Sequence, residues 1–310
     1  MLIVQPASKL KLVSLALLAS VLAVVFSFLG APLLRVLHNV GGPVYYWTSG
    51  GLISLALTLV GLGPLAFLIL AIWIAVGLYG EFENRGHVGF LPAAVATLAG
   101  TTVSILGPLA LFKALGYDLA EALRENLDNV LKQVPSTQEP PSWLAGVKID
   151  AEFLVGQLPS MMAILVMSSL SFALILDRRV AFLSNLRFER VAAHLRLLEF
   201  RLPDWTIWIA MLSFLLSFLK VGIPSVSTAA LNTFNILVAA YFFKGLAVLE
   251  SAFLKYRVGF ILRMVLYVFV VGQLFFLLSL VGLIDYWVDF RRRLRGISSP
   301  EKNRNNGEHV

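Results

Sequence analysis

Thr228, Asn232 and Asn235 follow one another at offsets of four and three in STAALNTFNILVAAYFFKG, so a helix there carries all three on one face, with Tyr241 further along. Two carboxamides offer donors and acceptors together, which is the chemistry that holds a small polar solute. Gln273, in the next apolar run, is the natural partner for the pair. Two uses of the amides stand. They line a solute site at membrane depth, or they bond across to a neighbouring helix, because a polar side chain among apolar ones is costly to leave unmet. Lys244 and Glu250, near the end of the same run, read as structural, with the lysine stem reaching back toward polar surroundings. Thr101, Thr102, Ser104, Ser168 and Ser169 read as hydroxyls that return hydrogen bonds to their own helix.

Catalytic chemistry has little to stand on. His38, His87 and His194 fall in loops or interfacial segments and His309 in the tail, with no His-Glu-x-x-His pair. Glu81 and Glu83 flank a loop at i, i+2 and read as solvated. Phosphate-binding loops and the Gly-x-Ser-x-Gly elbow are absent from the sequence. The chain has no cysteine, which excludes a disulfide framework, a thiolate nucleophile and an iron-sulfur cluster. The reading is therefore not an enzyme, with no cofactor and no metal site.

The elements that must position these residues follow from composition. Of 310 residues 58% are hydrophobic and only 14% charged, far from a soluble globular chain, and the excess fits membrane helices of about 20 apolar residues each. The expected fold is all-α: a polytopic integral membrane protein with about eight transmembrane helices and two amphipathic interfacial helices. Residues 1–115 carry helices one to four, the first over 12–29. After it GAPLLRVLHNVGGPVYYWTSGG, rich in Gly and Pro, reads as a connection with interfacial aromatics, and the run 44–79 splits into two helices at Gly61, Gly63 and Pro64. The fourth helix runs over 88–115. Residues 116–157 form a polar insert in which DLAEALRENLDNVLKQV sets leucines four apart as an amphipathic helix. Residues 158–290 carry helices five to eight, at about 158–175, 205–219, 227–249 and 261–284, with an Arg-rich interfacial segment at 177–204. Residues 291–310 make a basic tail, disordered at its end.

The formal net charge of +7 belongs to membrane topology rather than to nucleic acid. Lys9, Lys11 and the cluster Arg291, Arg292, Arg293 and Arg295 place both termini on the cytoplasmic side of a bacterial inner membrane, which an even number of crossings satisfies. Eight crossings then put 177–204 outside and the acidic interval 116–157 inside, against the usual bias.

The last crossing and its exit, LLSLVGLIDYWVDFRRRLR, resemble the C-terminal signature of the YybS-like bacterial membrane proteins, a family of unknown function. The match lies on Gly282, Leu283, Asp285, Trp287, Asp289, Phe290 and Arg291. LPSMM at 158–162, FRLPDW at 200–205 and YFFKGLAVLE at 241–250 agree in order. Read from the residues, Asp285, Trp287, Asp289 and Arg291 make an exit anchor at the membrane edge; the other reading has Asp289 pair with Arg263 or Arg291 to fix a packing. The resemblance implies a distant likeness to the substrate-binding S components of energy-coupling-factor transporters and to the rod-shape protein MreD. S components dock on a transmembrane coupling subunit with ATPases through an Ala-x-x-x-Ala patch, which Ala19 and Ala23 reproduce. The function expected is thus transport-related binding of a small solute; the alternative is a non-transporting scaffold that recruits cell-envelope proteins, as MreD does.

Overall fold

The computed structural model describes residues 9–25, 27–133, 150–183, 200–219, 224–259, 262, 265–266, 269–270 and 273–295. Among them the regular secondary structure is α-helix, with no strand. The helices are α1 (Lys9–Val25), α2 (Ser27–Leu59), α3 (Gly63–Asn84), α4 (Phe90–Ala114), α5 (Leu119–Gln133), α6 (Ala151–Leu183), α7 (Trp205–Phe218), α8 (Pro224–Lys255), α9 (Phe275–Val288) and α10 (Phe290–Arg295). Four stretches, Gly63–Asn84, Phe90–Ala114, Ala151–Asp177 and Ser225–Lys255, are long and apolar enough to cross a membrane by length and composition. Leu10–Val24, Trp205–Ser217 and Phe275–Val288 are shorter apolar helices.

The first correction to the sequence reading concerns α2. The Gly- and Pro-rich connection is helical from Ser27, and the break expected across it shrinks to Gly42, whose φ of 78° and ψ of 168° only glycine adopts without strain. Pro43 then opens the second half of α2, a position that asks for no N–H. Helix one correspondingly ends at Val25 rather than near Leu29. The split at Gly61 is as expected: Gly61 has φ 87°, and α3 starts at Gly63 with Pro64 in its first turn. α5 is the expected amphipathic helix, capped by Asp118 Oδ1, which accepts from the N–H of Ala120 at 2.8 Å. α6 begins at Ala151 under an Asp150 cap and runs past Asp177 to Leu183, so the start of the 177–204 segment belongs to it. Residues 184–199 of that segment, the interval 134–149, Arg263 and the tail beyond 295 lie outside the described residues.

The chain divides into two compact units, Met1–His194 with Met211–Ile236, and Leu195–Ala210 with Leu237–Val310. In the first, α1 and α2 form an antiparallel hairpin, α3 packs on α2 and α4, and α6 packs on α2 and α4. The hairpin closes where Gly30 faces Ala19 and Ala23; a Cβ on Gly30 would come within 2.7 Å of the Ala23 methyl. The core is built around Trp73, Tyr46, Ile69, Ile72 and Leu34. In the second unit α8 and α9 run backbone against backbone, because Gly245 meets the Leu278 carbonyl and Gly282 meets that of Tyr241.

Candidate functional site

The first half of α2 presents Arg35, His38 and Asn39 at i, i+3 and i+4, hence on one face. The last turns of α3 bring Tyr79, Glu81 and Glu83 to that face, and α6 brings Asp177. The Arg35 guanidinium, with the side chain 1% exposed, divides its fork between two helices: Nη2 donates to Glu83 Oε2 at 2.7 Å and Nε to Asp177 Oδ2 at 2.9 Å. Its carbon lies 5.7 Å from the centre of the Tyr79 ring. Only arginine offers two charge-assisted donors in one rigid plane, so this junction of α2, α3 and α6 is specific to it. Beside it, His38 Nε2 lies 3.2 Å from Glu81 Oε1. The His38 ring stands edge-on to Tyr46 at 5.0 Å, and Gly80 leaves room for it, since a Cβ there would come within 2.6 Å of the imidazole.

Around this centre the Arg35 guanidinium meets Glu83 and Asp177, and the His38 imidazole meets Glu81. Arg35 Nη1 and both amide atoms of Asn39 are buried without a hydrogen-bond partner. Leaving such groups unmet costs on the order of 1–3 kcal/mol each. Among the described residues no His, Asp and Glu side chains gather closely enough to hold a metal ion.

This centre corrects the sequence reading on three residues. His38 is not in a loop but inside α2 and 3% exposed. Glu83 is not solvated but buried in an ion pair, and Glu81 is only 28% exposed. Arg35 was not singled out at all. The signal for it was an arginine in the apolar run APLLRVL, which the neighbouring glycines and prolines disguised as a connection.

The amide face bonds to α6. Asn232 Nδ2 donates to the Gly156 carbonyl at 2.7 Å and to the Thr228 carbonyl at 2.9 Å, and Asn232 Oδ1 accepts from the Ser160 N–H at 2.8 Å. Ser160 N–H and Gly156 C=O are one helical turn apart, the pair that an uninterrupted helix would join. The carboxamide of α8 therefore bridges α6 at the turn that holds Pro159. Asn235 Nδ2 donates to Gln157 Oε1 at 3.0 Å. Thr228, Asn232 and Asn235 do share one face, and their partners are Gly156, Gln157 and Ser160 rather than Gln273, which is exposed. Tyr241 belongs to the second unit, with its hydroxyl 3.0 Å from that of Thr206. Ala19 and Ala23 are buried against Gly30 inside the hairpin, so they form no outward docking patch.

In the second unit Asp285, buried on α9, is the shared acceptor of two cations. Arg291 Nε donates to its Oδ2 at 3.1 Å and Lys244 Nζ lies 3.9 Å from the same oxygen. Arg291 Nη1 also donates to the Phe200 carbonyl at 2.6 Å, and the Lys244 ammonium stands 5.7 Å from the Tyr286 ring and 5.9 Å from that of Tyr241. The turn that folds Arg291 back onto Asp285 is made by Asp289 in the left-handed conformation, φ 48° and ψ 53°. The segments FRLPDW, YFFKGLAVLE and GLIDYWVDFR thus converge on one ion cluster. Of the expected exit anchor, Trp287 is 63% exposed, whereas Asp285 and Arg291 are buried in a packing role.

Residues 10–286 match the model of the family described as "Predicted membrane protein (DUF2232)". No curated protein and no solved structure matches the chain.

Proposed function

The chain belongs to that membrane protein family, and we propose that its role there is transport-related, with the Arg35 centre rather than the amide face as the place where a small solute or its coupling ion is handled. The observation that carries this is the guanidinium itself: 1% exposed, held by carboxylates from two other helices, and left with one amino group unbonded, as is the buried amide of Asn39 on the same face of α2. Ionisable groups among membrane helices are expensive and mark solute or ion paths more often than they mark packing. Asn232 spends both ends of its amide on α6 and Asn235 one donor on Gln157, which leaves the amide face less to offer a solute.

The likeness to YybS-like proteins and, through them, to S components supports this reading, with about eight crossings and both termini in the cytoplasm of a bacterial cell. A coupling subunit with its ATPases would dock elsewhere than on Ala19 and Ala23. The test is native mass spectrometry of the protein purified in lipid nanodiscs, alongside uptake profiles of cells. Wild type should retain a metabolite that Arg35→Lys, folded by circular dichroism and gel filtration, releases. No retained species in wild type, with uptake unchanged in Arg35→Lys, would sink the proposal.

The MreD-like alternative, a scaffold for cell-envelope proteins, draws on α5. This amphipathic helix buries none of its residues fully, and Val130 on it is exposed. If Leu123→Ser and Val130→Ser abolish co-purification of an envelope protein while uptake profiles stay unchanged, the scaffold reading displaces the first.

A further inference from the structure

We propose that the interrupted stretch of α2 is the binding site of a small neutral solute with an amide edge, read by the Asn39 carboxamide, with Arg35 Nη1 as a second donor. This rests on the reading above and names the class of solute that its centre takes.

The first argument is what Asn39 leaves unspent. Its Nδ2 and Oδ1 are both buried, and neither has a hydrogen-bond partner among the described residues. Other polar side chains of α2, those of Thr48, Ser49 and Thr58, return bonds to their own helix, whereas Asn39 does not. Arg35 Nη1 is buried and unmet as well, four residues earlier on the same face. A carboxamide brings two N–H donors and a carbonyl acceptor, and one with nothing bonded at either end is exceptional inside a folded chain.

The second argument is the backbone beside it. Residue 43 is proline, so the Asn39 carbonyl lacks the N–H that a continuous helix would offer it four residues on. Gly42, with φ 78° and ψ 168°, turns the chain out of the helix at the same place. Interrupted membrane helices of this kind are where polar solutes are held, because the break frees backbone groups that a side chain alone could not supply. The side at Gly42 is open: a Cβ there would meet nothing within 4 Å, and Pro43 and Val44 after it are exposed. A solute comes in past Gly42, the joint at which the two halves of α2 part to uncover the amide.

The third argument fixes the chemistry. An amide edge sets an N–H beside a C=O at the spacing of the Asn39 carboxamide, so the two pair through two hydrogen bonds, as asparagine does with the edge of adenine. A carboxylate offers acceptors alone and leaves Asn39 Oδ1 unmet. Arg35 adds one donor for a further oxygen of the solute, since its Nη2 and Nε are already engaged by Glu83 and Asp177.

The experiment uses the full chain in phosphatidylcholine nanodiscs and ligand-observed saturation-transfer NMR. Benzamide and pyrrolidone carry the edge; dimethylbenzamide keeps the carbonyl and loses the N–H; benzoate keeps the shape and loses the donor. Benzamide or pyrrolidone should bind saturably, and the two controls roughly tenfold more weakly or worse, as the loss of a paired hydrogen bond at a buried amide requires. Asn39→Leu keeps the volume and deletes the polar atoms, so it should abolish saturable binding without lowering the thermal unfolding temperature. Amides that bind no better than the controls, or not saturably, overturn the proposal. So does an Asn39→Leu protein that binds as wild type does, or that unfolds at a lower temperature. The probe comparison is made on wild type, so misfolding of a variant cannot obscure it. Selective amide binding with uptake unchanged in Arg35→Lys would leave the site standing and sink only the transport reading. A retained metabolite that Arg35→Lys releases and that has no amide edge would do the reverse.

Discussion

Tyr46 and Trp73 bond to each other's backbone: the Tyr46 hydroxyl donates to the Trp73 carbonyl at 2.6 Å, and Trp73 Nε1 donates to the Tyr46 carbonyl at 3.1 Å. Two large aromatic side chains are buried here with both polar handles met, which fixes the register of α2 against α3 and hence where Arg35 and His38 stand relative to Glu83 and Glu81. Small residues make this possible. A Cβ on Gly77 would come within 2.5 Å of the Tyr46 ring, and one on Gly50 within 2.7 Å of Trp73 Nε1.

Tyr46→Phe removes one hydrogen bond and keeps the ring, so it should cost about 1 kcal/mol, whereas Gly77→Ala must push the ring aside and should cost about 1–3 kcal/mol. Detergent-solubilised thermal unfolding measures both. A Gly77→Ala variant as stable as wild type would show that the two helices are not held at this spacing.

Asn232 leads to the second prediction. Its amide meets a donor and an acceptor of α6 at the turn holding Pro159, so Asn232→Ala removes partners from both the Ser160 N–H and the Gly156 carbonyl at once. The expected loss is about 2 kcal/mol or more, against about 0.5–1 kcal/mol for Asn235→Ala, which removes one half-buried bond to Gln157. Chemical unfolding in mixed micelles ranks them. Equal losses, or loss of a retained metabolite in Asn232→Ala with stability intact, would return the amide to the solute site.

These cases show where the sequence was legible. The helical class followed from composition. α5 was visible because four-residue leucine spacing, a capping Asp118 and a charged opposite face agree with one another. Thr228, Asn232 and Asn235 were seen to share a face because helical offsets decide that locally. Their partners were not visible, because Gly156, Gln157 and Ser160 are distant in sequence and, apart from Gln157, contribute backbone atoms that carry no residue signature. The Arg35 centre was missed because Pro32, Gly41, Gly42 and Pro43 looked like a connection, although α2 tolerates Pro32 and breaks only at Gly42. Glu81 and Glu83 were placed correctly beside a loop. Tertiary packing, which turns the last turn of α3 toward α2 and α6, buries the Glu83 side chain and half-buries that of Glu81.

The final prediction concerns Asp285, Asp289 and the two cations of the second unit. Asp285→Asn keeps the shape but leaves Lys244 and Arg291 buried beside a neutral amide, and breaking a buried pair in this way costs about 3–5 kcal/mol. The Lys244 contact is the looser of the two at 3.9 Å, so Asp285→Asn with Lys244→Met should recover part of the loss by removing the charge that has least to hold it. Arg291→Lys should not be silent either, since an ammonium cannot reach both Asp285 and the Phe200 carbonyl as the guanidinium does. Asp289 works in the opposite direction. Its left-handed φ of 48° costs about 1 kcal/mol for a residue with a side chain, so Asp289→Gly should stabilise by up to about that amount and Asp289→Val should destabilise by more. Trp287→Ala, at an exposed position, should change unfolding little and instead alter partition between detergent and lipid. Measured together by thermal unfolding in one lipid nanodisc preparation, the five variants and the double variant give an order. If Trp287→Ala proves more damaging than Asp285→Asn, the segment 285–291 is a membrane anchor, as its sequence suggests, and not the ion cluster that its geometry describes.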